Sequence, residues 1–330
     1  MTIVLAPGYV IRRPQPTDAT AVHALIVASD IAEFGESSGY GIAELEHDWT
    51  RGDLDRDTWI VFDPHGDLAG YGRLQHLRHV RIDVEIYVQP AHFGRGIGTT
   101  LIHQAEKRAR EFVPLAPPSA RVVLQNWINA LNTDACALLE REGYRPVRYF
   151  RRMEIELADE PRSPVWPKGI SVRAAAVGDD LRALYETSEE TMADHWGHVG
   201  SSFEEWQKQS LGQNFDPGLW FLALDGDEPA GIALCAIADG IGWVDTLGVR
   251  RPWRRRGLGA ALLHHAFREF HRRGLTRVGL GVDAASPSGA TRLYEQAGMR
   301  VTQHYATYSK ELRPGVERSD LEEGQADGDN

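Results

Sequence analysis

The chain has 330 residues, 42% of them hydrophobic and 25% charged, with nine tryptophans and a formal net charge of −11. That length points to two domains of ordinary size, and that apolar content excludes an intrinsically disordered chain. The acidic balance argues against a general nucleic-acid binder, since phosphate is repelled overall, and weakly favours cationic partners such as amines.

In chain order, Tyr9–Arg13 reads as a short strand leading through a proline-bearing turn to Asp18, an N-cap for a helix over Thr20–Ser29. The segment GESSGYGIAELEHDW is less regular. Trp59–Phe62 and a strand from Leu68 flank the turn Asp63-Pro64-His65-Gly66-Asp67, the mark of a hairpin. A further strand ends at Val88, and a basic, glycine-rich loop opens a helix over Thr99–Phe112. A strand over Arg121–Asn126, a helix over Thr133–Glu142 closed by Gly143, and a terminal strand follow.

After the proline-rich stretch Ala158–Gly169 the order begins again. Strand Ile170–Arg173 leads to Asp179 as N-cap and a helix over Leu181–Glu189. The irregular MADHWGHVGSSFEEW precedes a hairpin of Trp220–Leu224 and a strand from Ala230. A strand ending at Val249, a helix over Ala260–Arg273, a strand over Arg277–Val282 and a helix over Gly289–Gln296 closed by Gly298 complete the series. The longest helix carries an apolar stripe at Leu262, Leu263, Ala266, Phe267 and Phe270. Cys136 and Cys235 lie in apolar segments and read as buried thiols of a cytoplasmic protein. In keeping with that compartment, no run approaches the roughly 20 apolar residues of a membrane span, and the start lacks the basic-then-apolar order of a secretion signal.

The two series match at an offset of 161 residues. Gly96-Ile97-Gly98 returns as Gly257-Leu258-Gly259, Val88 as Val249, Trp59 as Trp220, Gly70 as Gly231, and the pair Arg12…Asp18 as Arg173…Asp179. A lone G-x-G means little; two in the same strand, loop and helix context mark a duplication. The expected fold class is α/β in the mixed, α+β sense: two tandem domains, each around a sheet with antiparallel and parallel pairs. The boundaries fall at 1–157 and 170–313, with a linker over 158–169 and an acidic, disordered tail over 314–330.

In the second copy Arg254-Arg255-Arg256-Gly257-Leu258-Gly259 stands between strand and helix. Glycines allow close approach of backbone to a ligand, the first helical turn offers unpaired N–H groups, and the dipole and arginines favour a diphosphate. The stretch DTLGVRRPWRRRGLGAALLHHAF resembles the acyl-CoA-binding motif of the GNAT superfamily of N-acetyltransferases, V-x-P-x-x-R/Q-x-x-G-x-G/A, with the proline one place late at Pro252. GATRLYEQAGM resembles that family's second motif, with Met299 in an aromatic place, and the tandem arrangement is similar to mycothiol synthase-like actinobacterial acetyltransferases.

The resemblance implies an N-acetyltransferase that uses acetyl-CoA as co-substrate, needs no metal and acts on a primary amine. It implies that Arg254, Arg255, Arg256, Gly257, Leu258 and Gly259 hold the pyrophosphate, with Leu247 to Val249 pairing with the pantetheine arm. It places Tyr294 as the general acid that protonates the departing thiolate. For the base, strand alternation puts Asp245 on the face of Trp243, where the family more often has a glutamate at the latter's position. Asp245 acts as the base, or binds substrate while a water chain carries the proton.

The first copy keeps Val88, Pro90, Gly94, Arg95, Gly96 and Gly98, so its loop retains the means to approach CoA. Phe93 and Leu139, however, stand where the second copy has Arg254 and Tyr294. Leucine has no proton to donate, so the N-terminal domain is expected to be non-catalytic. Asp194, His195 and Trp196, with Trp243, are the candidate residues for holding the acceptor. Three readings stay open: an acetyltransferase of small-molecule amines (mycothiol synthase proper being one case), a protein N-acetyltransferase, and a non-catalytic acyl-CoA sensor, against which Tyr294 speaks. Neither nucleic acid nor membrane is an expected partner, and the oligomeric state is not legible.

Overall fold

The computed structural model describes residues 5–37, 40–198, 200–212, 215–286 and 289–316. In chain order the elements are β1 (Val10–Arg12), α1 (Ala19–Phe34), α2 (Ile42–Thr50), α3 (Leu54–Asp57), β2 (Thr58–Phe62), β3 (Leu68–Leu77), β4 (Arg81–Val88), α4 (Ile97–Phe112), β5 (Val122–Asn129) and α5 (Thr133–Arg141). Then come β6 (Arg145–Glu156), β7 (Ile170–Ala174), α6 (Leu181–Met192), α7 (Phe203–Ser210), β8 (Trp220–Asp225), β9 (Glu228–Ala238), β10 (Ile241–Val249), α8 (Leu258–Arg272), β11 (Arg277–Asp283), α9 (Ala290–Gln296) and β12 (Arg300–Arg313). Among the described residues no helix is long and apolar enough to cross a membrane.

The chain forms two compact units, but not by a cut at 157 and 170. One unit is Phe150–Gln303, and the residues on both sides of it make the other. The physical reason is a strand exchange. In the first unit the order is β1-β2-β3-β4-β5-β12, where the chain's last strand pairs antiparallel with β5 from Tyr305↔Asn129 to Arg313↔Val122. In the second it is β7-β8-β9-β10-β11-β6, where the strand closing the first sequence half pairs with β11 from Arg277↔Glu156 to Asp283↔Phe150. Within each sheet the one parallel pair is β4 with β5, and β10 with β11. The expected tail lies outside the described residues from 317 on; before that, Val316 is tied to Ala120 by a parallel bridge.

Alternating side chains feed two cores per unit, as expected for strands covered on both faces. In β8, Phe221 and Ala223 join the core under α8, while Trp220 and Leu222 join the one under α6 and α7. In β2, Trp59 and Val61 face α4, and Ile60 faces α1. The predicted stripe of α8 is buried throughout. Cys235 is buried, whereas Cys136 is only partly so.

The irregular segments contain short helices, α2 and α7, which dock Trp49 and Trp206 into the cores. The sequence carried a signal for the second: Ser202 and Glu205 form a capping box. The Arg–Asp pair also needs a correction. Arg12 grips Asp18 through two hydrogen bonds of 2.7 and 2.8 Å, but Arg173 grips Asp180, one residue beyond the expected Asp179. In each case the same carboxylate accepts a backbone N–H as well, from Gln15 or Ala176, and fastens the turn before the helix.

Candidate active site

The second unit opens at the carboxyl end of its parallel pair. β10 and β11 pair only at Gly242↔Val278 and Trp243↔Gly279, after which β10 runs on to Val249 with β9 alone. On that stretch the Arg250 amide donates to Ala230 of β9. Antiparallel alternation therefore turns the main-chain groups of Leu247 and Val249 away from β9, toward the side where no strand pairs. Those are the polar groups an extended ligand can meet as an added strand.

The loop after β10 makes an anion cradle. Arg255 and Gly257 have φ of 64° and 86°, matching Gly94 and Gly96 of the first unit at 74° and 80°. Residues of alternating handedness turn successive amides to one side, forming a nest. Among the described residues the amides of Arg255 through Ala260 have no acceptor, so the nest continues into the start of α8. Arg255 occupies a left-handed conformation that suits glycine, at a cost of about 1–2 kcal/mol. The close packing behind the cradle is also clear. A Cβ on Gly259 would stand 3.4 Å from Leu293 of α9 and 3.7 Å from Val249, which brings α9 beside the loop.

Tyr294, one residue on, is 8% exposed in the core under α8. Burial pushes its phenol up to about 12, and its hydroxyl has no hydrogen-bond partner among the described residues. In the first unit Leu138 backs Gly98 in the same way, and the buried Leu139 takes the tyrosine's place.

The opposite face of the sheet, toward α6, carries a trough. Gly242 faces Phe270 of α8, so Trp243 points the other way, and its ring covers Gly279. Arg152 lies 4.4 Å from the centre of that ring. Arg152 also pairs with Glu154 at 2.5 Å, both side chains being 7% exposed, and Glu154 takes two bonds from Arg277 at 2.7 and 2.8 Å. Among the described residues nothing stands within 4 Å of where a Cβ on Gly281 would be, and the buried Asp283 closes the strand.

Asp245 does not share this face with Trp243. A β-bulge between Val244 and Thr246 sets Trp243 opposite Ala236 and Thr246 opposite Leu234. Since Ala236 and Leu234 alternate onto one side, Thr246 takes the place that simple alternation assigned to Asp245, which is the extra residue of the bulge and is exposed.

The other predicted residues meet here in altered roles. Asp194 is held by Arg251 at 2.9 Å and by Arg254 at 3.2 Å, and these two guanidinium groups keep its carboxyl below the ordinary range. Arg254 also donates to the Val249 carbonyl at 3.0 Å. Glu190 holds Arg250 at 2.6 Å, and Glu189 holds His198 and Ser201. The carboxylates at the end of α6 thus grip the loop and their own segment. Trp196 stacks obliquely near Phe150 of β6 at 6.4 Å. A cavity of about 250 Å³ lies on the other flank of the loop, among Lys168, Ile170, Trp253 and Arg256. The sequence reading missed Arg152, Glu154 and Phe150, because nothing in their half of the chain indicates that β6 lies beside β11.

Comparison with known proteins fits this geometry. The model of the acetyltransferase (GNAT) family matches residues 20–144 and again 180–299. The chain belongs to the GNAT family, twice over. A mycothiol acetyltransferase of Streptomyces scabiei is 30% identical over 74% of this chain and 75% of its own length. A GCN5-related N-acetyltransferase of Sphaerobacter thermophilus is 39% identical, with a TM-score of 0.85 over 96% of this chain and 99% of that one. A tandem GNAT protein from the clavulanic acid biosynthesis pathway, 16% identical, shares the fold with a TM-score of 0.70 over 93% and 100% of the two chains. This is therefore a tandem GNAT N-acetyltransferase.

Proposed function

We propose that the second unit carries the reaction, moving an acetyl group from acetyl-CoA to the primary amine of a small molecule by direct attack. The observation that carries this is a difference between two sites whose cradles match in backbone: Tyr294 stands beside the cradle in one, Leu139 in the other. The cradle of Arg255–Gly259 takes the pyrophosphate on its open amides, and the outward groups of Leu247 with the amide of Val249 pair with the pantetheine arm. The amine enters from the α6 face, over Gly279 and Gly281, between Trp243 and the segment Asp194–Trp196. Nitrogen attacks the thioester carbon, the C–S bond breaks, and Tyr294 protonates the leaving thiolate.

Asp194 serves in this scheme as the partner of the loop arginines and not as a free carboxylate for the substrate. In the first unit the cradle survives without Tyr294's counterpart, which fits a structural CoA site.

Thiol release from acetyl-CoA, followed across aminoglycosides, polyamines and cysteinyl glucosamine conjugates, tests the reading. The similarity to mycothiol acetyltransferases makes the last group the first to try. Turnover of a small amine is the expected result; silence of the whole panel alongside acetylation of peptide N-termini would overturn it.

A further inference from the structure

Who accepts the proton of the attacking amine is a question the site answers by elimination. Around the trough the carboxylates are committed. Glu154 lies between Arg152 and Arg277, Glu189 holds His198 and Ser201, Glu190 holds Arg250, and Asp194 holds Arg251 and Arg254. Asp283 accepts the Ala285 amide at 2.9 Å, and Asp245 has left the face at the bulge. One titratable side chain is not engaged: the ring of His195 has no hydrogen-bond or ion-pair partner among the described residues.

Its position is fixed from both sides. Asp194 is bound to the loop that follows β10, and Trp196 lies against Phe150, which pairs with Asp283 at the end of β11. His195 is the residue between these anchors, and Asp283 at the end of β11 is close enough for its charge to act on the ring. The first unit has a matching arrangement in which Phe34 lies 5.7 Å from Tyr305 of β12. There the preceding residue, Glu33, is already bonded to Asn132 at 3.1 Å. The loop side of the Asp194 clamp is also missing, since Pro90 and Phe93 stand where the second unit has Arg251 and Arg254.

We infer that His195 is the catalytic base of the second unit, held over the acceptor trough by the Asp194 clamp on one side and the Trp196–Phe150 contact on the other. This rests on the reading of the second unit as the catalytic one. A neutral imidazole takes a proton from the substrate ammonium, and the freed amine attacks the thioester. Tyr294 gives its proton to the sulfur as the C–S bond breaks and recovers one from the nitrogen of the new amide, while His195 releases its own to solvent. Burial pulls the imidazole below its ordinary value, and His198 and Arg254 act in the same direction against the opposing charges of Asp283 and Asp194. The ring is thus neutral near pH 7, as a base must be.

The test is the pH profile of thiol release with the fastest amine of the panel, for wild type, His195→Ala, His195→Gln and Tyr294→Phe. Both His195 variants should lose about 10²-fold in kcat with the KM for acetyl-CoA unchanged. The wild-type acid limb, falling below pH 6.5, should vanish in both, and added imidazole should partly restore His195→Ala. An unchanged kcat, or a raised KM for the amine with the acid limb intact, refutes the base while a disabled Tyr294→Phe leaves the parent reading standing. If Tyr294→Phe is fully active, the parent reading falls, and the proposal with it.

Discussion

Replacing Tyr294 by phenylalanine removes one oxygen and keeps a ring that is 8% exposed in a packed core. The hydroxyl has no hydrogen-bond partner among the described residues, so its removal breaks no bond and should leave folding stability close to wild type. Its catalytic effect should be far larger. With the phenol pushed up to about 12 by burial, it keeps its proton throughout the neutral range and is ready to donate. General-acid catalysis contributes roughly 10²–10⁴-fold, so kcat should drop by at least about 10², or about 2.7 kcal/mol of barrier. Binding of acetyl-CoA, measured by calorimetry, should be nearly unchanged, because the cradle amides are untouched. The assay is thiol release at saturating acetyl-CoA, with a thermal melt as control. A kcat within about two-fold of wild type, with the melt unchanged, would remove Tyr294 from the chemistry.

Gly257, at φ 86°, has no room problem but a conformational one, so Gly257→Val should displace the cradle of the second unit and abolish turnover. The same change at Gly96, at φ 80°, should leave turnover largely intact; a dead Gly96→Val with an active Gly257→Val would reverse the assignment of the working unit. Glu154→Gln should leave Arg152 buried without its counter-charge and cost about 3–5 kcal/mol in chemical denaturation. An undiminished midpoint would mean that the Trp243 face and Gln303 suffice to hold that guanidinium.

Much of the fold was legible because glycines and periodicity act locally. Gly143 and Gly298 close their helices with φ of 88° and 96°, as read from the chain, and the α8 stripe is buried as its spacing required. The uniform offset of 161 misled in finer detail. It hides single-residue shifts that cancel: Arg173 meets Asp180 instead of Asp179, and Asp245 is an extra residue of a bulge. Alternation rules assume an unbroken ladder, so a bulge moves a side chain off its face without leaving a mark in composition. The acidic run at the end of α6 was equally ambiguous. Asp194 has the residue type of an amine ligand, and only its distances to Arg251 and Arg254 show what it holds.

The exchange of β6 and β12 bears on how such a chain can evolve. After a simple tandem duplication either copy can be deleted, because each retains all of its own strands. Here each unit closes its sheet with a strand encoded in the other half of the gene. Deleting the copy without Tyr294 would also remove β6, the partner of β11 along its whole length from Arg277 to Asp283. The first unit is retained by architecture whatever its own pocket does, and selection is free to reshape that pocket without being free to discard the unit.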